Sequence, residues 1–428
     1  MKLLFVSNGH GEDAIGGRLA QEFRKLAPNL ELAAVPIVGR GMPYERAGIP
    51  LLGPRWELPS GGFTFTSLEL FLGDWRDGMY QKTHEQHWAV RNANADAVLV
   101  VGDVYALWVT FSFAFKNRAA KNLSRNAQTP RVFQVQPLVS RSYQDNMTAQ
   151  DRLERANRVT VDSFTAPDRW YMKRVEKIWA RDARTSQWLH ELGLPQADFA
   201  GNVMMDLLEP ECDLQALLDA NKSANGSDRP VLALLPGTRD DYRESLPRML
   251  EVVAQLHNNQ SDNQLKVQAL AAFPGDLNRL ELPDGWTWTE PSPLERQASA
   301  ERTAVKDHTR VPILRNAFAA LLHASGVALG TAGTANEQAV GLGKPTVAFP
   351  TNGPQFTGSF ARAQKRLLGD GLILVANDPE QIVRGLRQAL TPEAREAAKQ
   401  AGLERMGTAG GANKIVLEIL GRLGITGS

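Results

Sequence analysis

One cysteine, Cys212, stands in 428 residues. That excludes an intramolecular disulfide framework and leaves no cysteine-based zinc cluster, the usage of a reducing cytoplasm; we read Cys212 as incidental. An excess of charge is missing too. Lys+Arg 48 against Asp+Glu 47 leave a formal net charge of +1, so no global field attracts nucleic acid or calls for an acidic partner, and any basic patch is local. Long apolar runs are absent: "YALWVTFSFAF", Tyr105 to Phe115, falls well short of the roughly 20 residues that span a bilayer. The opening "MKLLFVSNGHGED" reaches charge and glycine after a few apolar residues and has no small-residue cleavage site, so it reads as a first strand rather than a signal peptide. There is no solenoid repeat, no heptad pattern and no metal-ligand cluster. The expectation is a cytoplasmic chain, soluble or peripheral on the inner face of a membrane, without nucleic acid and without a metal.

What is present is alternation. With 43% hydrophobic residues the chain can bury two cores of about 200 residues each. Short apolar runs ("KLLFVS", "AVLVVGD", "RVFQVQP", then "PVLALLPG", "LKVQALAAF", "GVALG", "PTVAFP", "LILVA") are separated mostly by segments of helix length. This predicts α/β architecture with two parallel, doubly wound sheets. The stretch Asp206 to Arg229, with its polar "NKSANGSD", marks a linker. The expected domains are 1–205, 206–409 and a terminal helix within 410–428, packing back towards the first domain, whose Ile415, Val416, Ile419 and Leu420 share one face. "PDGWTWTEPSPLERQASAERTAVKD" is expected to be an irregular insertion on the second domain.

Four turns follow apolar runs, and ligands of open parallel sheets bind outside the carboxyl ends of the strands. They are "SNGHGED" (Ser7–Asp13), "VGDVY" (Val101–Tyr105), "LPGTRDD" (Leu235–Asp241) and "GTAGTANEQAVGLGKP" (Gly330–Pro345). Gly9 and Gly11 let the backbone approach a ligand and put His10, Glu12 and Asp13 at the mouth of a helix. Glu12 and Asp13 alternatively only cap that helix, the preferred reading for Asp13. His10, flanked by glycines, has little core to satisfy. Asp103 is a strand-end carboxylate that can deprotonate a hydroxyl, or the cap of its own helix. Gly237 allows a turn, Thr238 offers a hydroxyl, and Arg239 can clamp a phosphate with its planar donor fork; Asp240, Asp241 and Glu244 fit ordinary first-turn acids. The Gly/Thr turn exposes backbone N–H groups at a helix N-terminus, where an anion is favoured. Glu337 either closes a capping box with Thr334 or accepts from two vicinal ribose hydroxyls. Asn352, Gly353, Gln355 and Thr357 form an uncharged polar set suited to sugar hydroxyls.

The motifs "LLPGTRDDY", "GTAGTANEQAVGLGKPTVAF" and "AGNVMMDLL" resemble those of the lipid A disaccharide synthase family. "GTAGTANEQAVGLGKP" together with "GPQFTGSFARAQKRLLG" resembles most the lipid-A-disaccharide-synthase-related proteins of cyanobacteria. The resemblance spans nearly the whole chain and is strongest in the second domain. It implies the GT-B fold, two Rossmann-like doubly wound domains facing a cleft. It also implies a metal-independent, inverting hexosyltransferase with no cofactor beyond a UDP-sugar co-substrate, of N-acylated glucosamine type, and a lipid-linked or saccharide acceptor. By position, Gly237, Thr238 and Arg239 match the family's Pro-Gly-Ser-Arg turn, which faces the donor phosphates. Thr331, Gly333 and Thr334 match its diphosphate loop, Glu337 its ribose-binding acid, and Gln355 resembles the donor-sugar glutamine of the related lipid II synthase. Asp103 lies where the synthase carries an aspartate proposed as general base. One departure stands out: the synthase begins Gly-Glu-x-Ser-Gly-Asp, whereas "GHGEDAIGG" is closer to the Gly-Gly-His loops of other GT-B enzymes. Gly9, Gly11 and Glu12 are therefore assigned to an acceptor loop, with the acceptor unidentified and His10 and Asp103 both open as the base.

Two rival readings keep the same fold: a UDP-sugar 2-epimerase, and a non-catalytic sugar-nucleotide sensor. A lipid acceptor would also call for an anionic membrane surface. "FTFTSLELFLGDW" and the stretch ending in Lys116, Arg118, Lys121 and Arg125 combine apolar and basic residues suited to one; for the second stretch a buried βα unit with a solvated basic end is the structural alternative.

Overall fold

The structure, a computed structural model, describes residues 1–55, 79–120, 130–156, 163–220, 229–238, 240–258, 267–353 and 355–425. Arg239, the polar stretch 221–228, the segment 63–75 and Lys121 and Arg125 lie outside the described residues, as do the side chains of Lys116 and Arg118. The chain divides into two units, Met1–Leu207 with Thr408–Ser428, and Leu208–Gly407.

Unit 1 is a six-stranded sheet of β1 (Lys2–Ser7), β2 (Glu31–Pro36), β3 (Ala97–Val101), β4 (Arg131–Gln136), β5 (Lys177–Ala180) and β6 (Ala197–Asp198). The order is β2-β1-β3-β4-β5-β6 and every pairing is parallel. Successive side chains of a strand point to opposite faces, so Leu3 and Phe5 pack with the helices His10–Leu26 and Gly411–Leu423, while Leu4 and Val6 pack with the helix Val104–Ala120. Burial on both faces is what makes such strands near-continuous apolar runs. The terminal helix Gly411–Leu423 buries Ile415, Val416, Ile419 and Leu420 on unit 1. Asp206 holds its first turn, accepting from the backbone N–H groups of Gly410 and, at 2.7 Å, Ala412.

Unit 2 is an eight-stranded sheet of β7 (Val231–Leu235), β8 (Gln268–Ala272), β9 (Thr287–Thr289), β10 (Ala300–Lys306), β11 (Thr309–Leu314), β12 (Val327–Gly330), β13 (Thr346–Ala348) and β14 (Leu372–Leu374). The order is β14-β13-β12-β7-β8-β11-β10-β9. Pairing is parallel from β14 to β11 and antiparallel at the last two steps. The expected irregular insertion is thus the sheet's antiparallel edge, and it reaches the core through Trp286 and Ala304. Among the described residues no helix is long and apolar enough to cross a membrane.

Candidate functional site

In each unit the parallel strands are added to both sides of a first strand, which puts a switch point between β1 and β3 and between β7 and β12. Such switch points open a crevice at the strands' carboxyl ends. All four of the predicted turns fall there.

In unit 1, Ser7 of β1 lies opposite Val101 of β3, which brings "NGHGED" beside Gly102 and Asp103. Two glycines make that approach possible. A Cβ on Gly9 would fall 2.2 Å from Glu12 Oε2, and one on Gly102, at φ +145°, 1.8 Å from Asn8 Oδ1. Asn8 Nδ2 donates to Asp103 Oδ1 at 2.7 Å, and Tyr105 N donates to the same oxygen at 2.9 Å. Asp103 therefore holds its own helix, as the structural alternative requires, and is also tied to the β1 turn. His10 opens the helix and is exposed, over the turn at Gly39, where a Cβ would lie 3.0 Å from His10 Nδ1. Gly11 is exposed and a Cβ there would meet nothing within 4 Å, so packing does not demand a glycine.

The capping reading of Asp13 is corrected. The helix N-cap is Gly9, with no side-chain cap, and Asp13 instead turns inward: its Oδ1 accepts from Ser7 Oγ at 2.6 Å, and Ser7 Oγ accepts from Tyr44 OH at 3.0 Å. Among the described residues its Oδ2 is buried without a hydrogen-bond partner. Burial pushes both carboxyls up to about 7, Glu12 further through the charge of Asp103, and Asp13 further through the charge of Glu12 but against the Ser7 hydrogen bond. Asp103 is also raised by burial, against the Tyr105 hydrogen bond. Three carboxyls near one strand edge cannot all ionise freely at neutral pH, and a carboxyl that titrates near 7 is suited to proton transfer.

In unit 2, Gly330 lies opposite Leu235, so the turns after β7 and β12 touch. Thr331 N donates to Leu235 O at 3.1 Å and Thr331 Oγ1 to Pro236 O at 3.3 Å. Gly237 has φ +82°, and a Cβ there would sit 3.2 Å from that of Ala332. Buried Thr331 therefore spends its hydroxyl on the turn, while Thr238 and Thr334 are exposed. The helix Gly333–Gly341 starts from Ala332, extended at φ −130°, with no side-chain cap. This corrects the capping box weighed for Thr334 and Glu337, because Thr334 is inside the helix. Its first-turn N–H groups have no capping side chain, the arrangement that binds anions. Glu337, one turn further in, is 6% exposed.

Sequence reasoning passed over the residues that hold the next loop. Asp241 is buried, and its Oδ1 accepts from Thr351 Oγ1 at 2.6 Å, Phe356 N at 3.0 Å and Gln355 N at 3.3 Å. Glu244 accepts from Asn352 N at 2.7 Å and from Asn377 Nδ2 at 2.6 Å. Beyond the part of ordinary first-turn acids, both fasten the Gln355 loop to the helix Tyr242–Asn258. Thr357 caps the helix Gly358–Leu368 rather than standing free. Asn336 and Gln364, bonded at 2.9 Å, join that helix to the Gly333 helix, and Gln364 Nε2 reaches Gly333 O at 2.7 Å.

No protein-family model matches the chain, and no curated relative matches it. Solved structures do. The calicheamicin glycosyltransferase CalG4 is 14% identical, with 99% of this chain and 98% of that chain covered and a TM-score of 0.61. MnaA of S. aureus, in a structure with UDP, is 14% identical over 99% and 97% of the two chains, TM-score 0.56. The UDP-GlcNAc 2-epimerase of Neisseria meningitidis, bound to UDP-GlcNAc, is 16% identical over 99% and 100%, TM-score 0.52. The class the chain belongs to by architecture follows: two Rossmann-like α/β units in the GT-B fold.

Proposed function

We propose that the chain is an inverting, metal-independent glycosyltransferase of the hexosyltransferase kind, similar to lipid A disaccharide synthase, which moves an N-acylated glucosamine-type sugar from a UDP-sugar to a lipid-linked or saccharide acceptor. The observation that carries it is the helix at Gly333, without a side-chain cap, set against the Gly237 turn at the switch point of unit 2. There the diphosphate accepts from first-turn N–H groups, with Thr238, Thr334 and Arg239 as further donors, Glu337 takes the ribose hydroxyls, and Gln355 faces the sugar. In unit 1 the Gly9–Gly11 loop receives the acceptor. A base, Asp103 or His10, removes the proton of the acceptor hydroxyl as its oxygen bonds the anomeric carbon. The bond from that carbon to the diphosphate oxygen breaks, and the leaving charge is stabilised by the helix N-terminus and Arg239. A lipid acceptor places this chemistry at the cytoplasmic face of an anionic membrane.

A second reading has its own support. Glu12 is a buried carboxyl whose affinity for a proton is raised by burial and by the charge of Asp103, and Asp103 is itself raised by burial, a pair that suits the acid and base of a UDP-sugar 2-epimerase, the activity named for the neisserial structure. Incubation with UDP-N-acetylglucosamine alone separates the two, since only an epimerase converts it without an acceptor. The shared donor assignment is tested by calorimetry. UDP should bind the wild type, and Glu337→Gln should weaken UDP and UDP-sugar alike by about 1–3 kcal/mol, the worth of a charged hydrogen bond. Undiminished UDP affinity in that variant refutes the ribose assignment.

A further inference from the structure

At the opposite end of the unit 2 strands from the donor turns, under the amino ends of β7, β12 and β13, lies an open depression of about 770 Å³. It is separated from the Gly237 and Gly333 turns by the length of the strands, about 16 Å for the five residues of β7. Its walls carry Arg229, just before β7, Lys344, just before β13, and Arg395 and Lys399 from the helix Pro392–Ala401. Glu396 is the one acid among the lining residues, and it already accepts from Gln400 Nε2 at 2.8 Å.

The four cations are not equivalent. Lys344 is a fastener: its Nζ donates to Ser325 O at 2.7 Å and His323 O at 3.0 Å, and burial lowers its pKa. Arg395 and Lys399 are four residues apart on one face of their helix, which packs with Lys399 Cα 3.3 Å from the position a Cβ of Gly343 would take. Among the described residues neither side chain makes a hydrogen bond or an ion pair. Arg229 Nε is shielded from water and likewise has no acceptor. A buried donor without a partner is costly, and Arg229, Arg395 and Lys399 set three cations around one depression against the single charge of Glu396, a positive excess that favours an anion there. Beside them, a Cβ on Gly326 would meet nothing within 4 Å, so the floor is open.

We propose that this depression is a second ligand site of unit 2, for a compact polyanion carrying at least two phosphoryl groups. The volume is that of a small-molecule site, and the cations come from separate elements, so one phosphate would leave some of them unpaired. The chemistry is shared by soluble pyrophosphate-bearing molecules and by anionic lipid headgroups; the size of the depression favours the soluble source. Because it stands on residues far from the donor turns, the site does not depend on the proposed transferase activity.

The probes are inorganic pyrophosphate and triphosphate, titrated against thermal unfolding of the full chain with UDP held at saturation to occupy the donor site. The expected result is a rise in unfolding temperature in the wild type and at least a tenfold higher concentration for the same rise in R229Q/R395Q/K399Q, with the UDP response unchanged. Since Arg395 and Lys399 are exposed, R395Q/K399Q alone serves where the triple variant fails to fold. A parallel arm sediments the protein with phosphatidylglycerol vesicles. Vesicle binding that needs the same cations, without a pyrophosphate response, identifies a headgroup as the source and supports the site. A wild type that responds to neither probe, or variants that respond as the wild type does, overturns it.

Discussion

Replacing Glu12 with glutamine should stabilise unit 1 above neutral pH. The wild-type carboxyl is raised from 4.5 to about 7, chiefly by burial and further by the charge of Asp103. An acid whose folded pKa is raised binds its proton more tightly in the folded than in the unfolded chain. Stability therefore falls as pH rises from about 4.5 to 7, and the loss is complete above the folded pKa. At about 1.4 kcal/mol per pKa unit, the burden is about 3 kcal/mol at pH 8. Glutamine has the shape of the protonated acid and never ionises. Glu12→Gln should thus match the wild type near pH 4 and exceed it by up to about 3 kcal/mol at pH 8, with a shallower pH slope between. Asp13, also raised to about 7 and coupled to Glu12, keeps part of the slope in the single variant. The assay is urea unfolding followed by tryptophan fluorescence at half-unit steps from pH 4 to 8. An unaltered slope, or a variant less stable than the wild type at pH 8, refutes the claim that burial of an ionisable Glu12 is a cost. Stabilisation with lost turnover is the behaviour of a residue kept for function.

Asp241→Ala leaves the Thr351 hydroxyl and the Gln355 and Phe356 N–H groups without their acceptor, so a loss of about 3 kcal/mol or more in stability is expected, together with faster proteolysis near residue 354 and weaker UDP-sugar binding. Gly102→Ala puts a Cβ against Asn8 Oδ1 at a φ that disfavours it; it should displace Asn8 from Asp103 and reduce activity at least tenfold while UDP affinity, measured by calorimetry, is kept. If His10 or Asp103 is the base, its alanine variant should lower kcat by roughly 10²–10⁴ with donor binding intact. Full activity in both variants shows that neither is the base.

Much of the α/β reading was legible because parallel strands buried on both faces write themselves as apolar runs: Leu3 to Val6, Val98 to Val101 and Leu232 to Leu235 need no partner to be seen. Strands of other composition were not. β2, "ELAAVP", is rich in alanine, and β9 and β10 are short or carry polar residues on one face, so their existence depends on the sheet that accepts them. The Gly-rich turns were visible as turns, with His10, Asp103, Gly237 and Gly333 in them. Their company was not. Pro236 and Thr331 meet across 95 residues of chain, and Asn8 and Asp103 across 95 more, because β7 lies beside β12 and β1 beside β3. That adjacency also decides what the first-turn acids do. Position in sequence marks Asp13, Asp241 and Glu244 as residues that complement a helix dipole; only the packed neighbours, Ser7 for one and the Gln355 loop for the others, turn them into tertiary acceptors, buried for Asp13 and Asp241. Local sequence determines which groups can bond, and tertiary structure determines which donors are brought within 3 Å of them.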